Sequence, residues 1–181
     1  MTGRLIAVVG PSGAGKDTLM AAAKAAHPSL IWARRAITRP ESAGGEPFEG
    51  VSREAFERRR AGGGFAVWWE AHGLLYGVPA SIVDDLDAGR TVMFNGSRGA
   101  IGQARIQFPR LEIAMIRAPS AVLARRLAAR GRETEDDIVK RLERASAYPA
   151  PEGAKIIDND SDIETGAARF LAAFNLSAQS V

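Results

Sequence analysis

The chain has 181 residues, 24 basic against 21 acidic, a formal charge of +3 and no cysteine. Its length suits one core of ordinary size, and 46% hydrophobic with 25% charged residues excludes a disordered or fibrous class, while the lack of cysteine excludes a disulfide framework, a thiolate metal site and a cysteine nucleophile. No apolar run approaches the roughly 18 residues of a membrane span, and Arg4 followed by a short apolar stretch is no signal peptide, so the expected location is cytoplasmic.

In chain order, Arg4–Val9 reads as a buried parallel strand ending at Gly10, and a glycine-rich turn then leads into a helix over Lys16–Ala26. Leu30–Ile37 reads as a second strand. Between Arg39 and Gly64 proline, glycine and glutamate dominate, with a charged helix near Arg53–Arg60 that Ser52 caps. Phe65–Ala71 and Leu74–Val78 form strands around a turn at His72–Gly73, and a helix over Ala80–Ala88 stops at Gly89. A strand follows at Thr91–Phe94, a helix at Ala100–Gln107 and a strand at Leu111–Ile116. Ser120 caps a helix to Arg130, and Thr134 with Asp137 resembles a capping box opening a helix to Ala147. Ala154–Ile157 is the last strand and Asp162–Phe174 the closing helix. This alternation predicts a single α/β domain over residues 1–181, a parallel sheet covered on both faces, with an insertion at about 39–88.

Of the 24 basic residues, 20 are arginine and four are lysine. The planar guanidinium grips phosphate in two places and is favoured where phosphates are held. A G+C-rich genome accounts for the bias equally well, and a nucleic-acid partner is a third source, although +3 is weak support for one.

Gly10-Pro11-Ser12-Gly13-Ala14-Gly15-Lys16-Asp17 lies between the first strand and its helix, where a phosphate-binding loop belongs. There the glycines let the backbone curl so that successive N–H groups point inward, the helix N-terminus adds positive potential, and Lys16 reaches the β- and γ-phosphates of a nucleotide. The competing reading is a glycine-rich turn of an unrelated α/β fold. A regular loop of this kind has Ser or Thr after the lysine to supply a hydroxyl to Mg²⁺. Here Asp17 takes that position and Thr18 comes one later, so either Asp17 ligates Mg²⁺, directly or through water, or the loop binds no metal–nucleotide and is a relic.

On these residues the chain resembles the guanylate kinase family over nearly its whole length. The loop, Ile37-Thr38-Arg39-Pro40 with Gly45-Glu46, Tyr76-Gly77, and Arg125-Arg126-Leu127, Arg130-Gly131-Arg132 and Lys140-Arg141-Leu142 fall in family order. The resemblance implies a P-loop kinase fold of the nucleoside monophosphate kinase type, with the 39–88 insertion binding the acceptor and an arginine-rich lid at about 128–145. It implies ATP as donor, bound by residues 10–18 and by Arg130 beside the adenine. Lys16, Asp17, Arg126, Arg132 and Arg141 then serve catalysis at the phosphates, and Arg39 and Tyr76 bind the acceptor.

The departures concern the acceptor. Guanylate kinases read guanine with an acidic residue nine positions before this tyrosine and a Ser or Thr two after it; those places hold Val67 and Val78. A buried guanine left with unpaired groups costs about 1–3 kcal/mol for each. The family's second phosphate-binding arginine is replaced near Glu41 and Ser42, its Asp-Tyr segment is missing, and the acidic pair ending the central strand has become Asn95-Gly96-Ser97-Arg98. These features, with Gly73-Leu74-Leu75-Tyr76-Gly77-Val78, are similar to the ribose 1,5-bisphosphate phosphokinases of phosphonate catabolism. That resemblance implies ATP-dependent conversion of ribose 1,5-bisphosphate into 5-phosphoribosyl 1-diphosphate, with Mg²⁺. It leaves Arg98 for an acceptor phosphate and Asn95 or Ser97 for ribose hydroxyls, against the plainer reading of residues 95–98 as a turn.

Among other residues, Trp68 and Trp69 read as packing residues rather than a sugar platform, His72 as exposed, His27 as complementing a helix end, and Arg58-Arg59-Arg60 as a solvated helix face. The partners expected are two small molecules, ATP and a phosphorylated sugar, with neither nucleic acid nor membrane; the sequence is silent on oligomeric state. A guanylate or other nucleoside monophosphate kinase is the alternative, and an inactive binding module of the same fold is a third reading that the intact Gly10, Gly15 and Lys16 disfavour. If the carboxylate serving Mg²⁺ has moved from the strand end to Asp17, then Asp17→Ala lowers kcat and alters the Mg²⁺ requirement while thermal unfolding stays close to that of the parent. An unchanged Mg²⁺ requirement and kcat refute that assignment.

Overall fold

The computed structural model describes residues 2–43, 46–129 and 149–178. Strand β1 (Arg4–Val9) is buried at every position after the first, as a strand covered on both faces must be. Helix α1 (Lys16–Ala26) follows, then β2 (Ile31–Trp32), β3 (Arg35–Ile37), β4 (Phe48–Gly50), α2 (Arg53–Ala61), β5 (Phe65–Ala71) and β6 (Leu74–Pro79). The chain continues through α3 (Ile82–Asp87), β7 (Thr91–Asn95), α4 (Arg98–Gln107), β8 (Glu112–Arg117), α5 (Ser120–Ala129), β9 (Lys155–Asp158) and α6 (Ile163–Ala173). One sheet has the strand order β2-β7-β1-β8-β9 and the other β4-β3-β6-β5. In the first, β2 runs parallel to β7 and β8 parallel to β9, as the alternation of strands and helices requires.

Two compact units divide the chain: Met1–Ala7 with Ser29–Glu112, and Val8–Pro28 with Ile113–Val181. The first contains the four-stranded sheet, and its register decides which side chains share a face. Trp69 stands opposite Tyr76, Val67 opposite Val78, and Ile37 opposite Tyr76. Because side chains alternate along a strand, Arg35, Ile37, Val67, Trp69, Tyr76 and Val78 lie on one face. The opposite face carries Ala36, Phe65 and Leu75, which close over Phe56 of α2 with Val51 and Trp68 at the edge. Phe56 stacks on Phe65 at 4.4 Å between ring centroids. Ser52 caps α2 as expected, its hydroxyl accepting from Ala55 N at 3.1 Å. His72 and Gly73 both adopt positive φ (52° and 74°), the conformation a two-residue hairpin requires.

In the second unit, α1 packs against α6. Asp162 caps α6, its carboxylate accepting from Thr165 N at 2.8 Å. Helix α1 has the predicted bounds.

Other expectations need correction. The single strand over Leu30–Ile37 is two strands in different sheets: β2 pairs with β7, and β3 with β4 and β6. No glycine or proline interrupts that run, so nothing local marks the change of partner. Strand β4 falls in a Pro- and Gly-rich stretch with no strand pattern, and parallel pairing with β3 creates it. Residues 95–98 are not a free turn: Asn95 ends β7, Ser97 stands at the N-cap of α4 and Arg98 is its first helical residue. Ser120 is itself the first residue of α5, and the Pro119 carbonyl accepts from Val122 and Leu123 N–H groups. The helix expected from Thr134 to Ala147 lies outside the described residues.

Gly77 is the close approach on which the packed face of the four-stranded sheet depends. A Cβ there would stand 2.5 Å from the Phe65 ring. Gly77→Ala therefore overpacks that core and is expected to destabilise the protein by about 1–3 kcal/mol, read as a lower urea midpoint with unchanged m-value.

Candidate active site

The phosphate loop lies wholly within the second unit. Gly10 has φ +152°, and a Cβ on it would come within 2.4 Å of the Ile116 carbonyl oxygen of β8. Gly15, in the left-handed conformation (φ 82°), forms the N-cap of α1, whose N-terminus adds positive potential at the loop. Ala14 N donates to Pro11 O at 3.3 Å, closing the turn around Ser12 and Gly13. Lys16 folds back so that its Nζ donates to the carbonyls of Gly10 (2.9 Å) and Pro11 (3.1 Å). Asp17 sits in the first turn of α1, half-buried, with exposed Thr18 next to it.

Sequence reasoning missed Asn159. This buried residue follows β9, and its Nδ2 donates to Ala14 O at 2.7 Å, tying the loop to the strand end. Its own N–H donates to Arg117 O at 2.7 Å. Next to it, Arg169 donates to Asp158 O and to Asp160 Oδ1 at 2.6 Å, and that hydrogen bond holds the Asp160 carboxyl below the usual carboxylate range. A polar residue after an apolar strand is common; only the fold brings residue 159 to residue 14.

Arg126 lies on α5, and Arg130, Arg132 and Arg141 lie outside the described residues, so their catalytic and lid roles rest on the sequence. Among the described residues no three His, Asp or Glu side chains converge as a metal cage. A single carboxylate at the loop suits Mg²⁺, which keeps several waters and relies on one or two carboxylates plus substrate phosphates.

The residues expected to bind the acceptor lie in the first unit. Val67 and Val78 are Cα partners across β5 and β6, 2% and 0% exposed. They share the face that carries Tyr76, so the two positions at which guanine would be read form one apolar contact. On the same face Trp69 is buried and stacks on Tyr76 (5.4 Å, 5° between planes). The Arg35 guanidinium lies over both rings, at 5.4 and 5.2 Å, and pairs with the Glu46 carboxylate. Neither Arg35 nor Glu46 was singled out by sequence reasoning as a paired site residue, because a charge in an Arg-rich strand carries no mark of burial.

Arg39 lies over the Phe48 ring at 4.5 Å and lines a depression of about 400 Å³ with Thr38, Glu41, Ser52 and Arg53. Glu41, near where the family resemblance expects an arginine, accepts from Gly50 N (3.0 Å) and Arg34 Nη2 (3.1 Å) and so braces β4. Asn95 is buried at the end of β7; Ser97 makes no side-chain cap bond, and Arg98 is exposed. The Arg58–Arg60 run is more than a solvated face: Arg59 pairs with Glu49 at 2.7 Å and covers Phe65, and Arg60 covers Trp68. His72 is exposed at its turn, whereas His27 Nδ1 lies 2.6 Å from Ser177 O, so it ties the segment after α6 to the end of α1.

A sequence profile described as "Guanylate kinase" matches residues 2–173. A "Ribose 1,5-bisphosphate phosphokinase PhnN" of Agrobacterium fabrum is 45% identical over 180 residues, 97% of this chain and 98% of that protein. A "Bifunctional ribose 1,5-bisphosphokinase-thymidine phosphorylase" of Cupriavidus necator is 47% identical over 174 residues, 95% of this chain. The chain spans only 29% of that relative's length. Among solved structures, a guanylate kinase from Anaplasma phagocytophilum superposes with a TM-score of 0.67 at 21% identity, over 96% of this chain and 85% of the other, which shows a shared fold. Among the described residues no helix is long and apolar enough to cross a membrane.

Asn159→Ala leaves the Ala14 carbonyl without its side-chain donor and is expected to cost about 1–3 kcal/mol in chemical denaturation, together with weaker ATP binding. Asn159→Asp, isosteric but able only to accept, costs more than Ala, because a carboxylate oxygen then faces the carbonyl.

Proposed function

The chain belongs to the guanylate kinase family, and we propose that it transfers the γ-phosphoryl group of ATP to the 1-phosphate of ribose 1,5-bisphosphate, giving 5-phospho-α-D-ribose 1-diphosphate and ADP. The observation that carries this reading is the Val67–Val78 pair: the acceptor face that bears Tyr76 has no polar group at the two positions where a purine edge would be read. The names of the relatives aligned over the whole chain support the same acceptor. On this reading the insertion at about 39–88 binds the sugar bisphosphate and the stretch at about 128–145 closes over ATP.

The chemistry asks little of a general base. A phosphate monoester has a second pKa of about 6, so at neutral pH an oxygen of the 1-phosphate is already anionic. That oxygen attacks the γ-phosphorus in line, the new O–P bond forms as the β–γ bridging bond breaks, and ADP leaves with the bridging oxygen's electron pair. What remains for the protein is positioning and charge neutralisation. Lys16 exchanges its two backbone carbonyls for the β- and γ-phosphates. Arg126, Arg132 and Arg141 neutralise the transferring group, and Arg130 lies against the adenine. Arg39 holds an acceptor phosphate at its depression, Arg98 the other, and Tyr76 with Asn95 or Ser97 orients the ribose. Asp17, with the Thr18 hydroxyl beside it, is the side chain that would hold Mg²⁺, which would supply charge neutralisation at the phosphates. The absence of a histidine from these groups fits an acceptor that arrives deprotonated.

The test is direct. Purified protein with Mg·ATP is expected to form phosphoribosyl diphosphate from ribose 1,5-bisphosphate and to leave GMP unphosphorylated. GDP formation alone refutes the reading in favour of a nucleoside monophosphate kinase, and turnover of neither acceptor refutes it in favour of a binding module.

A further inference from the structure

Beside the Val67–Val78 pair stands a charged pair that the proposed mechanism does not use. Arg35 and Glu46 are 8% and 4% exposed at their side chains, and charges are buried at such cost that they are kept only when paired or put to use. Arg35 satisfies one oxygen of the carboxylate, Glu46 Oε1. The other, Oε2, is fully buried and has no hydrogen-bond partner among the described residues. The pair is also held in place. Trp69 and Tyr76 stack on each other, and both rings contact the guanidinium. The β3–β6 register, continued by one residue, puts Arg35 opposite Val78 on the acceptor face.

A carboxylate only accepts hydrogen bonds, so whatever completes Oε2 is a donor, which excludes a phosphate dianion. Guanine presents two adjacent donors, suited to a carboxylate with both oxygens open, but Arg35 already occupies one. A single hydroxyl fits the remaining oxygen. The ion pair is neutral overall, so Glu46 does so without repelling a bisphosphate.

We infer that Glu46 selects the acceptor: Oε2 takes a hydrogen bond from one ring hydroxyl of the phosphorylated sugar, while Arg35, braced by Trp69 and Tyr76, fixes the carboxylate. This rests on the sugar-kinase reading above and gives the acceptor face its polar reader in place of the two lost at the valines. Arg35 is thereby a positioning residue, acting on the substrate through Glu46.

The experiment compares kcat/KM for ribose 1,5-bisphosphate with its 2-deoxy and 3-deoxy analogues, in the parent protein and in Glu46→Ala and Glu46→Gln. The parent is expected to prefer the ribose compound over one deoxy analogue by roughly ten- to hundredfold, the range for a hydrogen bond to a buried charged group. Glu46→Ala brings that ratio close to one, losing activity on the ribose compound but little on the deoxy compound. Glu46→Gln, isosteric and retaining an amide oxygen, gives an intermediate ratio and decides the matter if the alanine variant does not fold. A merely structural role for Glu46 lowers activity on all acceptors alike and leaves the ratio untouched. An unchanged ratio in the variants, or a parent indifferent to both hydroxyls, overturns the inference. If the protein proves to phosphorylate GMP instead, the sugar-kinase reading falls by itself, and the same ratio taken with GMP and its 2′- and 3′-deoxy forms decides the role of Glu46 separately.

Discussion

The Ile116 carbonyl of β8 leaves 2.4 Å for any side-chain atom on residue 10, and the geometry of the phosphate loop follows from that approach. Only glycine tolerates both the contact and the φ of +152°. From there the chain turns back on itself through Pro11–Ala14 and enters α1 at a left-handed Gly15, so the loop's backbone donors and the helix N-terminus converge. Lys16 then reaches the carbonyls of residues 10 and 11, and Asn159 fastens the far side of the loop at Ala14. The loop is thus fastened by its own Lys16 at one end and by Asn159, which follows β9, at the other.

The four-stranded sheet answers a different constraint. One face must pack against α2, and it does so with Ala36, Phe65 and Leu75 around Phe56, at the cost of admitting only glycine at position 77. The other face is released from that duty. There the same register that brings Trp69 onto Tyr76 also brings Val67 onto Val78, so aromatic and aliphatic cross-strand pairs stabilise the hairpin. The polar character of the face is concentrated in Arg35 and Glu46, which come from β3 and from the segment before β4. Arginine suits this place because its planar cation stacks on aromatic rings while its fork meets a carboxylate.

Much of this was legible in advance. The bounds of α1, the Ser52 cap and the hairpin at His72–Gly73 follow from local signals: a helix-forming run after glycine, a hydroxyl three residues before an N–H at the helix start, and a His-Gly pair between β-branched and aromatic runs. The glycine-rich loop was legible because its conformation is carried by backbone geometry, which a short run of glycines specifies. The split of residues 30–37 between two sheets and the short β4 were not, since both are decided by which strand lies alongside. Asn159 and the Arg35–Glu46 pair were missed for the same reason at the level of side chains: they are contacts across 145 and 11 residues, and burial rather than spacing marks them.

The sequence by itself determined helix α1, the β5–β6 hairpin, the glycine-rich loop and the valines at 67 and 78, because each depends on residue type at a local position. Tertiary structure alone decided that those valines are cross-strand partners, that an arginine beside them is buried against two stacked rings, and that Glu46 comes to lie against it. Strand register and burial are properties of pairs distant in sequence. They set the energy of a charge or a hydrogen bond only once the chain has brought the partners together and removed the water between them.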